Sequence, residues 1–274
     1  MPDPSQAPRT ALVTGGSRGL GAAIARRLAA EGWHTVICGR DPATLEEQVR
    51  RAAGDGLTLH AVPADVTDEA SVTALFDHLA AEAPPLEVCV ANAGGNYSHR
   101  LVSVREAADG TRTLRPHPAD SWDRTVRACL TGVFLTGRAG AELMLRQRPG
   151  GGGVLINISS AVSAGAYGQS AYCAAKAGVE SLTRTWAVEL GEYGIRSVAV
   201  SPGVIDGEAL RRRSAASDRH AAYMATLRRH VPLRRWCTEE DIADAVVFAA
   251  RNPSTTGTVM EVDGGGLPSR IVQD

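Results

Sequence analysis

Ala11-Leu12-Val13-Thr14-Gly15-Gly16-Ser17-Arg18-Gly19-Leu20-Gly21 is the stretch that decides the fold. Ala11-Leu12-Val13 is a short apolar run of strand type, and a helical pattern occupies residues 20–31. The glycines between them permit a tight turn and close approach of a ligand to the backbone. A helix opening there aims its free amides and the positive end of its dipole at the turn, which favours a pyrophosphate. A glycine-rich run alone is common. Placed between the first strand and first helix of a strand–helix–strand unit, it points to a dinucleotide.

The same alternation continues outward. Further strands are expected at residues 35–38, 57–62, 88–90, 154–158, 196–200 and 258–262, and helices at 43–53, 68–82, 119–148, 170–193 and 238–250. Repeated alternation implies parallel strands joined by right-handed crossovers. The fold class is therefore α/β, a Rossmann-type doubly wound parallel sheet of about seven strands with helices on both faces. Nothing resembles an interdomain linker, so residues 9–267 are expected to form one domain between tails at 1–8 and 268–274. Two stretches look irregular. Residues 96–120 carry Gly110, Pro116 and Pro118 and read as an extended loop with room for a small hairpin. Residues 207–235 are polar, helical and rich in arginine, in the place of a lid.

Composition excludes several function classes. Hydrophobic residues make up 44% of the 274, enough for a sizeable core. The formal charge of −1 provides no global field for nucleic acid or an anionic membrane. Cys38, Cys89, Cys129, Cys173 and Cys237 show no metal-ligand spacing, so reduced thiols and no metal are expected. No apolar run is long enough to span a bilayer, and a cytoplasmic location is expected.

Lys176 is the only lysine in the chain, against 29 − 1 = 28 arginines. On a solvated surface either residue serves, so the surviving lysine marks a place that arginine does not fill. It stands in Tyr172-Cys173-Ala174-Ala175-Lys176. Residues four apart share a helix face, so an ammonium lies beside a phenol. A nearby cation favours phenolate, and the pair reads as a tuned proton donor and acceptor.

Six segments then occur in order: the Thr14–Gly21 turn, Asn92-Ala93-Gly94, Ile158-Ser159-Ser160, Tyr172 with Lys176, Ser201-Pro202-Gly203, and Val262-Asp263-Gly264-Gly265-Gly266. Together they resemble the short-chain dehydrogenase/reductase family over residues 9–267, in its 3-oxoacyl-thioester reductase-like subgroup. The resemblance implies a role for each matching position. Tyr172 would be the general acid in ketone reduction, or the base in alcohol oxidation. Lys176 would hold the nicotinamide ribose and depress the Tyr172 pKa. Ser160 would hydrogen-bond the substrate carbonyl. Gly15, Ser17, Arg18, Gly19, Leu20 and Gly21 would cradle the cofactor, with Asn92, Ala93 and Gly94 lining its site. Asp65 and Val66 would meet the adenine, and Pro202, Gly203 and Val204 would border the nicotinamide. The serine is open to two readings: counting from the strand end gives Ser160, and counting back from Tyr172 by the family's commonest spacing gives Ser159.

The second strand ends Cys38-Gly39-Arg40. Relatives that prefer NAD place an acid where Gly39 stands. Arg40, with Arg18 from the glycine turn, can pair with a 2′-phosphate, so NADP(H) is the expected cofactor. The chain also departs from the family pattern. Cys129 replaces the asparagine that helps keep a helix distortion and a proton relay. Gly207 replaces a threonine near the nicotinamide carboxamide. The 96–120 loop is longer than usual. Arg211, Arg212, Arg213, Arg219, Arg228 and Arg229 gather in the lid segment, as an anion site or as a solvated helix face.

The function expected is NADP(H)-dependent hydride transfer between the nicotinamide and a carbonyl or secondary alcohol, with ketone reduction in a specialised, secondary-metabolite-type pathway. The alternatives are a 3-oxoacyl-thioester reductase of fatty-acid type or a non-catalytic NADP(H)-binding sensor. The partners implied are a small-molecule ketone or alcohol and further copies of the chain, as a homotetramer or homodimer, without nucleic acid or membrane.

Overall fold

The computed structural model describes residues 8–148 and 150–266; residues 1–7, 149 and 267–274, which include most of both expected tails, lie outside it, as do the side chains of Ala209 and Arg213. The first half runs β1 (Thr10–Thr14), α1 (Gly19–Ala30), β2 (His34–Gly39), α2 (Pro42–Gly54), β3 (Leu59–Pro63), α3 (Glu69–Glu82) and β4 (Leu86–Ala91). A hairpin follows, β5 (Val102–Glu106) with β6 (Arg112–Pro116). Then come α4 (Ala119–Val126), a π-helical turn (Arg127–Thr131), α5 (Gly132–Gln147), β7 (Gly153–Ile158), α6 (Ser170–Leu190) and β8 (Ile195–Pro202). The chain closes with α7 (Glu208–Ala215), α8 (Asp218–His230), α9 (Glu239–Arg251) and β9 (Val259–Val262).

Seven strands form one parallel sheet in the order β3-β2-β1-β4-β7-β8-β9. This is the Rossmann-type α/β arrangement that the alternating pattern predicts. Strand order reverses at β1, which has β2 on one side and β4 on the other. Connections diverge there, leaving a crevice above the carboxyl ends of the strands.

The central strands of the sheet are buried on both faces and split their side chains between two cores. Ala11 and Val13 of β1 join Val88, Val90, Ile156 and Val198 beneath α1 and α9. Leu12 joins Cys89 and Leu155 with Phe76 and Met144 beneath α3 and α5. This is the period of two that a strand imposes, here apolar on both sides because helices cover both.

Local signals fix the helix ends. Asp41 caps α2, accepting from the Ala43 amide at 3.1 Å, and Pro42 fits the first helical position. Thr238 and Asp241 form a reciprocal capping box at the start of α9. The predicted single helix at 119–148 is interrupted by the π turn between α4 and α5. The 207–235 segment contains two helices, α7 and α8.

On the open β3 edge, His34 and His60 stack with ring centroids 4.0 Å apart, in a groove also lined by Glu46, Arg50, His78 and Glu82. Burial, and then the His60 charge, hold His34 below its ordinary value of 6.5. A base with a depressed folded pKa binds fewer protons folded than unfolded, so stability is complete above about 6.5 and falls as pH drops through the folded value. The His60→Gln variant should therefore lose less melting temperature than wild type between about pH 7 and pH 5. Parallel melting curves for the two proteins across that range would refute the coupling.

Candidate active site

The crevice opens as a cleft of about 670 Å³. The glycine turn contributes Gly15, Ser17, Arg18, Leu20 and Gly21 to its wall, and Gly39 and Arg40 follow from β2. Asp65 and Val66 line it after β3, and Asn92, Ala93 and Gly94 after β4. Gly19 heads α1 beside them.

Close packing holds this floor. A Cβ on Gly21 would sit 2.2 Å from the Gly15 carbonyl oxygen and 2.5 Å from Asn92 Nδ2, so only glycine lets α1 start against the turn. Asn92 Nδ2 donates to the Thr14 carbonyl at 2.9 Å. The Thr14 hydroxyl donates to the Val90 carbonyl and accepts from the Asn92 and Ala93 amides, tying β1 to β4. Thr14 lies inside the quoted turn, yet no sequence signal marks that role.

On the β2 side of the cleft, Arg18 and Arg40 are both exposed, and among the described residues neither guanidinium has an ion-pair or hydrogen-bond partner. Asp41 is engaged in capping α2. Asp65 Oδ1 accepts from the Thr67 amide at 2.9 Å and its hydroxyl at 2.8 Å, so this carboxylate also shapes its own loop. Val66 packs on Gly132, where an added Cβ would meet its Cγ2 at 2.9 Å.

Tyr172, Lys176 and Ser160 do not line this cleft; α6 presents Tyr172 and Lys176 on one face. Lys176 is 4% exposed, and its Nζ donates to the Ile158 carbonyl at 2.6 Å. The same nitrogen stands 5.6 Å from the Tyr172 ring centroid. Burial lowers the Lys176 pKa below its ordinary value. Desolvation also pushes Tyr172 up to about 12, with Cys129 adding to the rise and the Ser160 hydroxyl opposing it. The depression expected from the lysine is thus reversed in the protein alone. Removing a phenolate from water outweighs a cation whose nitrogen is turned to a carbonyl.

The two serines separate clearly. Ser159 is buried, and its hydroxyl donates to Glu180 Oε1 at 2.9 Å, along the body of α6. Ser160 is half-buried, and its hydroxyl acts to lower the Tyr172 pKa.

Cys129 lies buried within the π turn. Its Sγ accepts from the Gly95 amide at 3.4 Å and donates to the Gly95 carbonyl at 3.3 Å. The helix distortion is therefore present without the asparagine. A thiol, although a weak donor and acceptor, satisfies both backbone groups of the loop after β4.

Pro202, Gly203 and Val204 follow at the end of β8 and do not line the main cleft. The Pro202 carbonyl accepts from the Ala161 amide, and the Gly203 amide donates to the Val262 carbonyl. Buried Gly207 precedes α7, and a Cβ there would meet Glu239 Oε1 at 2.7 Å. Burial raises the Glu239 pKa. Sequence reading missed Glu239, and it missed Ser98, whose Oγ accepts from the Tyr172 amide at 2.8 Å. Neither residue belongs to a recognisable pattern. In the lid segment Arg211 pairs with Asp206, while Arg212, Arg219, Arg228 and Arg229 have no ion-pair partner among the described residues. No group of three or more His, Cys, Asp or Glu among the described residues is placed to hold a metal. No helix among them is long and apolar enough to cross a membrane.

A crevice at the switch point that fits a dinucleotide, with a half-buried tyrosine and a buried lysine on one face of α6, defines an oxidoreductase that works with a nicotinamide dinucleotide. The family model described as enoyl-(acyl carrier protein) reductase matches residues 15–266. The cis-4-hydroxycyclohexanecarboxylate dehydrogenase of Sinomonas cyclohexanicum is 38% identical, with 94% of this chain and 96% of that protein covered. The 3-oxoacyl-[acyl-carrier-protein] reductase of Staphylococcus aureus is 34% identical, with 94% and 97% covered. Among solved structures, actinorhodin polyketide ketoreductase with NADPH superimposes with a TM-score of 0.81 at 26% identity, covering 94% of this chain and 97% of that one. The chain belongs to the short-chain dehydrogenase/reductase family and is an oxidoreductase acting on a carbonyl or alcohol.

Proposed function

We propose that this oxidoreductase uses NADP(H) and works as a ketoreductase in a specialised, secondary-metabolite-type pathway, reversibly as a secondary-alcohol dehydrogenase. The observation that carries the cofactor reading is the pair of unpartnered guanidiniums, Arg18 and Arg40, flanking Gly39 on the cleft wall. Asp41 Oδ1 caps α2 and Asp65 Oδ1 holds its own loop, so neither carboxylate is devoted to the ribose hydroxyls. Two exposed cations without ion-pair partners suit a 2′-phosphate. The polyketide ketoreductase was solved with NADPH, which supports the same reading. The higher identity to the cyclic hydroxycarboxylate dehydrogenase than to the acyl-carrier-protein reductase favours a pathway outside fatty-acid synthesis.

When bound, the cofactor supplies or accepts the hydride. The chain's own groups handle the proton. In reduction, the Tyr172 hydroxyl gives its proton to the carbonyl oxygen as the carbon gains the hydride. The Ser160 hydroxyl donates to that same oxygen and fixes its position. Lys176, a buried cation beside them, opposes the negative charge that develops there. A tyrosine held near 12 stays protonated at neutral pH, as a proton donor must. Reductive kcat/KM should accordingly stay level through neutral pH, and the alcohol oxidation should accelerate as pH rises.

Further copies of the chain are proposed as partners, in a homotetramer. Trp122 and Phe134 on the α4–α5 helices and Val188 on α6, which is 84% exposed, support helix faces that pack against symmetry mates.

The first test is NADPH oxidation across 3-oxoacyl thioesters, cyclic diketones, keto-sugars and aryl ketones. Turnover of one class supports the reading, and NADPH binding without any turnover supports the sensor alternative. Arg40→Ala should raise the KM for NADPH roughly ten- to a hundredfold, the range of a lost charge-assisted bond, and leave NADH unchanged. An unaltered NADPH preference in that variant refutes the cofactor assignment.

A further inference from the structure

The β5–β6 hairpin follows β4, and its root is fixed to the start of α6, the helix that carries Tyr172. Ser98 Oγ accepts from the Tyr172 amide at 2.8 Å. Asn96 Nδ2 donates to Gln169 Oε1 at 2.9 Å, and the Arg100 guanidinium lies 4.5 Å from the Tyr167 ring centroid. His99 therefore stands one residue from the first turn of α6.

The hairpin register places Ser103 opposite Arg115 and Arg105 opposite Thr113. Ser103, Arg105, Thr113 and Arg115 share one face, with the two arginines as diagonal neighbours. Both carboxylates of the hairpin are occupied elsewhere. Glu106 pairs with Arg112 at 3.0 Å, and Asp109 Oδ1 accepts from the Thr111 amide at 2.9 Å. Among the described residues Arg105 and Arg115 have no ion-pair or side-chain hydrogen-bond partner. Two like charges on one strand face repel unless an anion stands between them. Between them lies a hollow of about 440 Å³, walled by His99, Ser103, Arg105, Arg115 and Pro118. The His99 ring is held edge-on to His117, with centroids 5.5 Å apart.

We propose that this hollow is an anion subsite of the reductase: Arg105 and Arg115, with His99, hold a carboxylate or phosphate at the end of the carbonyl substrate remote from the reacting carbon. Guanidinium forks match either oxyanion in two-point fashion. The root bonds to α6 give a fixed geometry between that anchor and Tyr172, which is how remote binding energy orients a reacting centre. The substrate class is a ketone bearing an anionic tail. The inference rests on the reading of the site as a carbonyl reductase.

The test compares charged and neutral probes of one shape. One pair is 4-oxocyclohexanecarboxylate and its methyl ester; the other is acetoacetyl-phosphopantetheine and acetoacetyl-pantetheine. Equilibrium binding to the NADP-saturated protein is measured by calorimetry, for wild type, Arg105→Ala/Arg115→Ala and Arg105→Lys/Arg115→Lys. At least one charged probe should bind wild type about tenfold more tightly than its neutral partner, and the pair with the larger difference identifies carboxylate or phosphate. The double alanine variant should abolish that difference, and the double lysine variant should keep part of it. Unchanged melting temperature and NADPH affinity show that the variants remain folded. Charged probes that bind no tighter than neutral ones, or equally well to the double alanine variant, overturn the proposal. Turnover is read separately. Neutral probes reduced at equal rates by wild type and variant, without charge-dependent binding, leave the reductase reading intact and remove the subsite. Arginine-dependent binding without turnover of any probe does the reverse.

Discussion

Tyr172→Phe is expected to lower kcat for ketone reduction by about 10² to 10⁴, the usual contribution of a positioned proton donor. NADPH affinity should stay within about twofold, because the ring remains and only the hydroxyl is lost. The phenol is half-buried, and desolvation pushes its pKa up to about 12. Its hydroxyl is thus a proton store that water does not readily replace. The serine comparison sharpens the test. Ser160→Ala should cost about 10²-fold in kcat, as removal of one donor to a developing oxyanion does. Ser159→Ala removes a hydroxyl already donating to Glu180, so its effect should fall mainly on stability. Single-turnover rates with saturating NADPH measure all three. A Ser159→Ala variant slower than Ser160→Ala would reverse the assignment, and a Tyr172→Phe variant with wild-type rate would place the proton donor elsewhere.

The sequence made the sheet legible because its central strands are buried on both faces. Runs such as Val88–Val90 and Val154–Ile158 have no solvated side to break them, and turn residues bound them clearly. The glycine turn was legible because Gly21 packs against a carbonyl oxygen that no side chain tolerates. Other features were not. The rise of the Tyr172 pKa depends on how deeply the phenol lies and on which way Lys176 Nζ turns, and residue spacing specifies neither. Cys129 in the π turn bonds both backbone groups of Gly95, across a sequence separation that no periodicity reveals. Glu239 joins the neighbourhood of Gly207 from the far end of the lid segment, and only the folded chain brings them together. Helix ends, by contrast, follow local chemistry: Asp41 with Pro42 starts α2, and Thr238 with Asp241 starts α9.

Lys176→Arg is the other substitution with a large expected effect, although it keeps the charge. The lysine is 4% exposed, and its Nζ has one protein acceptor, the Ile158 carbonyl. A guanidinium brings five donors in a rigid plane to a space shaped for a point charge. Overpacking of this kind costs about 1–3 kcal/mol, and donors left without acceptors add to it. For a domain of this size that corresponds to a fall of several degrees in melting temperature. Activity should fall further, by about 10²-fold or more in kcat/KM, because the cation moves relative to the Tyr172 hydroxyl. Lys176→Met separates the two effects. It keeps the stem and volume but removes a buried charge, so it should be inactive yet at least as stable as wild type. Melting curves and kcat/KM for the two variants form the measurement. A chain with 28 other basic positions filled by arginine would then have kept lysine where the compact ammonium alone fits. Wild-type activity in Lys176→Arg would instead make the single lysine an accident of codon usage and remove the strongest sequence argument for the tyrosine–lysine pair.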